Sequence, residues 1–223
     1  MMKYRIITLT FLLSVICGCK ELAGDSVTET FEIENTYRKL HISNAINVVI
    51  RDTAEEIKVT AGEKLLLNVI IEENGDILSV RLKGGTYFYN SVINLELPAN
   101  PNLTELDLSD ASDIKGEINV ENLTINLTDA SDAKLKGHIG KLTLNLKDAS
   151  SIKKNIINKR YGLSCDECEV SMEDASDAYI HCDGSIKLNK LSGASDFHYT
   201  GNATIALAPG AIAGASDIKH DVL

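Results

Sequence analysis

Asp110-Ala111-Ser112-Asp113 returns five more times along the chain: Asp129-Ala130-Ser131-Asp132, Asp148-Ala149-Ser150-Ser151, Asp174-Ala175-Ser176-Asp177, Gly193-Ala194-Ser195-Asp196 and Gly214-Ala215-Ser216-Asp217. Successive blocks start 19, 19, 26, 19 and 21 residues apart. A unit of about 20 residues cannot bury its own apolar face, so units with this period must stack and share one. The expected architecture is a solenoid.

Residues around the block give the solenoid its type. Two positions before each block stand Leu108, Leu127, Leu146, Met172, Leu191 and Ile212, and four before the first four blocks stand Leu106, Ile125, Leu144 and Val170. This period-two alternation marks a strand with one buried face. Four positions after each block start stand Ile114, Ala133, Ile152, Ala178, Phe197 and Ile218, so the apolar stripe resumes beyond it. A leucine-rich horseshoe has a similar period but needs a helical arc and an L-x-x-L-x-L core with a fixed Asn, and neither is present. The reading is all-β: a single-stranded parallel β-helix with three faces, coils of about 19 residues and a rise of about 4.8 Å per coil. Residues 28–223 form one domain in it, irregular over 28–105 and regular over 106–223.

Only Ala and Ser occupy the middle of the block, which implies close backbone packing at a corner. Simple strand parity turns Ser inward and Ala and the last Asp outward, and a bend within the block reverses this; the pattern leaves both open. One coil apart, like side chains stack. Carboxylates about 4.8 Å apart repel by roughly 1 kcal/mol in water, so the row Asp113, Asp132, Asp177, Asp196 and Asp217, interrupted by Ser151, has two readings. It is a structural turn ladder, or a cation or glycan stripe for which Ca²⁺ is the candidate ion. Calcium takes about six to eight oxygens, and the glycine-rich nonapeptide of calcium-loading β-rolls is absent. The structural reading is preferred, and no other cofactor is expected.

The chain opens with Lys3 and Arg5, an apolar run over residues 6–16 and Cys17-Gly18-Cys19. Residues 1–18 read as a secretory signal, too short to span a bilayer. Gly18 before Cys19 resembles a bacterial lipobox, which makes Cys19 the lipidated first residue of the mature chain, with 19–27 as its tether. An ordinary signal or an uncleaved anchor is the alternative. Lys20-Glu21 resembles an acidic lipoprotein sorting signal. With 22 basic against 32 acidic residues, the formal charge of −10 argues against nucleic acid and against electrostatic binding to anionic lipid. The expected location is the outer membrane, on its periplasmic face or at the cell surface, held by lipid.

Ahead of the blocks, strands are predicted at 39–42, 45–51, 56–60, 65–72, 77–82 and 91–97. Tyr87-Phe88-Tyr89 reads as an edge or cap over the solenoid end, in preference to a ligand platform.

Together, the lipoprotein-like start, Asn44-Ala45-Ile46-Asn47-Val48-Val49-Ile50, Ile93-Asn94-Leu95-Glu96-Leu97-Pro98 and the repeated Ala-Ser-Asp coils resemble the DUF2807 family, also called the auto-transporter adhesin, head GIN domain family, over about residues 31–217. The GIN element stands here as Ala45-Ile46-Asn47, departing at its first residue. The resemblance implies a right-handed parallel β-helix and an envelope location; it carries no catalytic residues.

Cys165-Asp166-Glu167-Cys168 and His181-Cys182 invite a zinc or redox reading. Adjacent strand residues face opposite ways, so His181 and Cys182 do not readily share an ion. Cys165 and Cys182 fall at similar positions in neighbouring coils and form a candidate disulfide, with a Cys165–Cys168 link or free thiols as alternatives. Pectin-cleaving β-helix enzymes use clustered Asp with a basic residue outside the repeat register. Here every Asp that pairs is explained by the repeat, and His138, His198 and His220 read as isolated surface residues. The expected role is non-enzymatic: an adhesin-like or scaffold module binding a surface glycan or protein. The alternative is a calcium-dependent glycan binder or carbohydrate-active enzyme. An uncapped last coil also suggests a homodimer through the solenoid end.

Overall fold

The computed structural model describes residues 24–32, 36–84 and 91–223. The signal-like segment, Cys19 and the Tyr87-Phe88-Tyr89 cluster lie outside them. Over the described residues the chain is all-β, with one helical turn. Its first part holds β1 (Ser26–Phe31), β2 (Lys39–Ile42), β3 (Ile46–Arg51), β4 (Ile57–Gly62), α1 (Glu63–Leu66), β5 (Val69–Asn74), β6 (Ile77–Leu82) and β7 (Ile93–Pro98). The repeat region holds β8 (Glu105–Leu108), β9 (Asp113–Glu117), β10 (Val120–Leu127), β11 (Asp132–Leu146), β12 (Ser151–Ile152), β13 (Ile156–Ile157), β14 (Arg160–Tyr161), β15 (Leu163–Met172), β16 (Asp177–Leu191), β17 (Asp196–Thr200), β18 (Thr204–Leu207) and β19 (Asp217–His220).

Two parallel ladders flank the Ala-Ser corner. Before the corner run β6, β2, β8, β10, the second half of β11, β15, the second half of β16 and β18. After it run β7, β3, β9, the first part of β11, β12, the first part of β16, β17 and β19. Residues one repeat apart pair directly, as Leu127 with Leu146 and Asp113 with Asp132. The apolar positions therefore stack into continuous buried columns, such as Leu78, Leu40, Leu106, Ile125, Leu144, Val170 and Leu188. Asn189 stands four before its block but is not in this column, because a bulge between Val170 and Ser171 shifts the register and leaves Leu188 inside.

The corner is a left-handed pair. Asp110 and Ala111 have φ of 55° and 58°, and the blocks starting at Asp129, Asp148, Asp174 and Gly193 repeat this. Two successive positive φ values favour Asp, Asn or Gly first, which is what the sequence supplies. The Ala111 N–H donates to the Asp129 carbonyl (2.8 Å), and Ala130, Ala149 and Ala175 bond to the following coil in the same way. Parity is thereby settled: Ser112, Ser131, Ser150, Ser176 and Ser195 are wholly buried, while Ala and the last Asp face out. Asn44-Ala45-Ile46-Asn47 is a further copy of this corner, with φ of 72° and 57° and the Ala45 N–H on the Asp110 carbonyl (2.8 Å).

Antiparallel pairing enters at the N-terminal side, in β1–β4, β4–β7 and β5–β6. Gly75-Asp76 joins β5 to β6 with Gly75 at φ 64°, and a link this short connects only antiparallel neighbours. These strands cover the edges of β6 and β7. At the opposite end β18 is exposed throughout, with Leu207 at 55%. The strand expected from residue 65 starts only at Val69; Glu63–Leu66 make a helical turn that buries Leu65 and Leu66, because these good helix formers close over the core. The extra residues of the 26-residue coil hold the β13–β14 hairpin, turning through Asn158 and Lys159 at positive φ.

Candidate functional site

The Asp that ends five of the six blocks faces outward, so the second ladder carries a polar column, with the buried Ser151 in the same row. Asp113 pairs with Asp132, then Ser151, Asp177, Asp196 and Asp217 follow in register. All five predicted Asp residues are thus brought together in one row. The column extends beyond the sequence reading, through Asn47 opposite Asp113 and Asn94 opposite Asn47. It therefore crosses from the irregular part into the regular one.

Two residues further along each strand lies a second outward column: Lys115, Lys134, Lys153, Tyr179, His198 and Lys219. The repulsion within the Asp row is met from there. Lys153 Nζ reaches Asp132 Oδ1 (2.9 Å), while Lys219 Nζ reaches Asp196 Oδ2 (2.9 Å) and lies 3.8 Å from Asp217. Where the ladder begins, burial and then the charge of Asp132 raise the Asp113 carboxyl above its ordinary range. On the first ladder the signs alternate instead. Glu169 holds Lys141 and Lys187 (3.3 and 3.5 Å), and Glu173 holds Lys147 and Lys190 (3.2 and 2.5 Å).

Aromatic rings replace lysine beside the hairpin. Tyr179 stacks on His198 with centroids 4.5 Å apart, and Tyr161 meets Tyr179 edge-on at 5.4 Å. The Tyr161 hydroxyl donates to Asp221 Oδ2, which also pairs with His198 Nδ1 at 2.9 Å. His198 is therefore part of a clasp between the insertion and the last residues, and is not isolated as the sequence suggested. Nothing in the repeat pattern announced this, because Tyr161 and Asp221 both lie outside the block.

His138 is not isolated either: its ring approaches Ser164 Oγ (3.3 Å) and Asp166 Oδ2 (3.3 Å). The residue types are those of an acyl-transfer triad, but the geometry is not. Ser164 donates its hydroxyl hydrogen to the Gly137 carbonyl at 2.8 Å, so the imidazole is not placed to take it.

Cys165, Cys168 and Cys182 are buried free thiols. Cys165 lies opposite Cys182 in the parallel register, as the coil positions suggested. Hydrogen bonding to Cys168 and burial push the Cys165 thiol up, and hydrogen bonding to Cys165 and burial do the same to Cys182. His181 faces the other way, bonded to Thr200 Oγ1 (2.9 Å) and Asp183 Oδ2 (3.0 Å). A shared His181–Cys182 metal site is therefore ruled out.

No curated protein matches the chain. Among solved structures, it is similar to a "putative adhesin" from Bacteroides fragilis, at 15% identity and a TM-score of 0.59, covering 88% of this chain and 97% of that one. A second "putative adhesin", from Parabacteroides merdae, is 13% identical with a TM-score of 0.54, covering 91% and 98%. At such identities the likeness is one of fold. The family model of DUF2807, "Putative auto-transporter adhesin, head GIN domain", matches residues 36–203. With three quarters of the sequence inside that match and the GIN-like Asn47 seated in the polar column, the chain belongs to the DUF2807 family.

Proposed function

We propose that this chain is a non-enzymatic, adhesin-like binding module of the cell envelope, presenting the outward column from Asn94 to Asp217 to a surface glycan or protein. The observation that carries this reading is the column itself: one row of polar side chains in register across eight strand segments, flanked by lysines. A flat, extended row suits an extended partner. The family description and the adhesin labels of the two structural relatives agree with this role.

In this reading residues 28–223 wind as one right-handed parallel β-helix with three faces, irregular to 105 and regular from 106. The 19-residue register and the parallel ladders support that winding. Residues 1–18 direct export, Cys19 carries the lipid and 19–27 tether the body to the outer membrane. Lysine occupies the place of a cation at Asp132 and Asp196, which favours binding without Ca²⁺.

The test uses latex beads coated with the full chain, washed over immobilised polysaccharides and matrix proteins with and without Ca²⁺. Retention on at least one surface, falling severalfold in Asp132→Asn/Asp177→Asn/Asp196→Asn, supports the proposal. Retention indifferent to these substitutions, or none at all, overturns it. Release of reducing ends from a polysaccharide would replace it with the carbohydrate-active reading. Fatty-acid labelling lost on Cys19→Ser tests the anchor.

A further inference from the structure

We propose that His41, Glu105 and Asp107 form a site for one divalent transition-metal ion of the zinc class. The site lies on the first ladder, apart from the Asp column, and stands independently of the adhesin reading. His41 lies directly opposite Asp107 where β2 pairs with β8, and Glu105 stands two residues before Asp107 on the same face. All three are partly exposed, and each offers a ligand atom within 4.8 Å of the others.

The spacing fits a tetrahedral ion. His41 Nε2 is 3.2 Å from Asp107 Oδ2 and 3.4 Å from Glu105 Oε1. Donors about 2.0–2.1 Å from a tetrahedral centre lie about 3.3–3.4 Å apart. Imidazole nitrogen with two carboxylates suits zinc and its neighbours better than calcium or magnesium, which favour all-oxygen shells.

The outer shell is built as well. Each carboxylate has its other oxygen engaged elsewhere: Asn126 Nδ2 donates to Asp107 Oδ1, and Lys39 Nζ lies 3.4 Å from Glu105 Oε2. Asn145 Nδ2 donates in turn to Asn126 Oδ1 (2.8 Å), which orients that amide. Such partners hold ligating carboxylates in place. His41 and Asp107 also line a groove of about 430 Å³ with Ser79, Arg81 and Thr128. Three protein ligands and an open side leave a coordination position for water or a ligand from the groove.

The experiment strips the full chain with a chelator, then titrates it with Zn²⁺ by calorimetry and with Co²⁺ by visible absorption. One ion per chain is expected, bound with ligand-field bands of a nitrogen and oxygen site. His41→Ala and Asp107→Asn should each lose this binding by at least about 100-fold, Asn126→Ala should weaken it by about 10–100-fold, and His198→Ala should keep it. Metal-free melting curves for the variants check that they stay folded, as expected for partly exposed residues. Binding that survives His41→Ala, a sulfur-to-cobalt charge-transfer band, or no stoichiometric binding would each overturn the proposal.

Discussion

Three buried serines that look alike in sequence should respond very differently to loss of the hydroxyl. Ser195 Oγ accepts from the Ser176 N–H (3.1 Å) and donates to the Ser192 carbonyl (2.9 Å). Ser176 Oγ donates to the Glu173 carbonyl (2.7 Å). Ser150 Oγ is buried and has no partner among the described residues, because the Ser131 N–H one coil earlier bonds to the Thr128 carbonyl instead (3.2 Å). Ser195→Ala orphans a buried N–H, costing about 1–3 kcal/mol, and forfeits a second bond worth about 1 kcal/mol, for a total of roughly 2–4 kcal/mol. Ser176→Ala loses about 1 kcal/mol. Ser150→Ala removes a desolvated hydroxyl that bonds to nothing and should be neutral or stabilising by up to about 1 kcal/mol. At about 2–4 °C per kcal/mol for a chain of this size, Ser195→Ala lowers Tm by about 4–16 °C while Ser150→Ala leaves it level or higher. Urea and thermal unfolding of the three variants read this order. Equal losses at Ser150 and Ser195 would refute the reasoning and show that the hydroxyls act only by filling space.

Gly137 has φ 115°, and a Cβ there would meet the Ile118 carbonyl oxygen at 2.1 Å, whereas a Cβ on Gly75 at φ 64° meets nothing within 4 Å. Thermal unfolding should show Gly137→Ala to be the more damaging by at least about 1–3 kcal/mol, since only it adds a clash to the left-handed strain; equal losses would contradict this. Because the Asp113 carboxyl is raised in the folded chain, its favourable contribution is full below the ordinary value of 3.8 and is lost as pH rises through the folded value. Asp113→Asn should therefore raise Tm at pH 7 and lose that advantage by about pH 3.5, and a gain that persists in acid would show another cause. Refolding in a glutathione redox buffer should link Cys165 to Cys182, each thiol giving up one electron and one proton to oxidised glutathione, with Cys168 left free. Peptide mapping that finds Cys165 joined to Cys168 would reject that pairing.

The buried columns were legible because a constant 19-residue spacing makes sequence neighbours into spatial ones, as for Leu106, Ile125 and Leu144. Legibility failed wherever the spacing did. The apolar column stopped short at Asn189 in the sequence, because the bulge that puts Leu188 in that place leaves no mark in the spacing. The corner at Asn44 hid because Ile46 stands where the other copies have Ser, although Ile46 still donates its N–H to Ser112 Oγ (3.3 Å). The Asp row could be read, but not its partners: Lys153 and Lys219 bond back across a coil boundary, a relation that needs orientation as well as period. His41 and Asp107 hold the same place before the corners at Asn44 and Asp110, but they lie more than sixty residues apart and the corner that relates them is the copy without its Ser. The antiparallel cover at the N-terminal side was missed for another reason, since alternation alone does not encode strand direction.

That cover gives the molecule a growing direction. β1, β4 and β5 close the edges at one end, and at the other β18 and β19 continue the same parallel register. A tandem duplication of residues 113–131 would deliver new strand residues to neighbours of like character, Asp on Asp, Lys on Lys and apolar on apolar where Ile114 meets Ala133. Length can thus drift during evolution without a new core being invented. Each duplicated coil would move the far end outward by about 4.8 Å, so that reach from the covered end becomes a trait selected almost independently of surface chemistry.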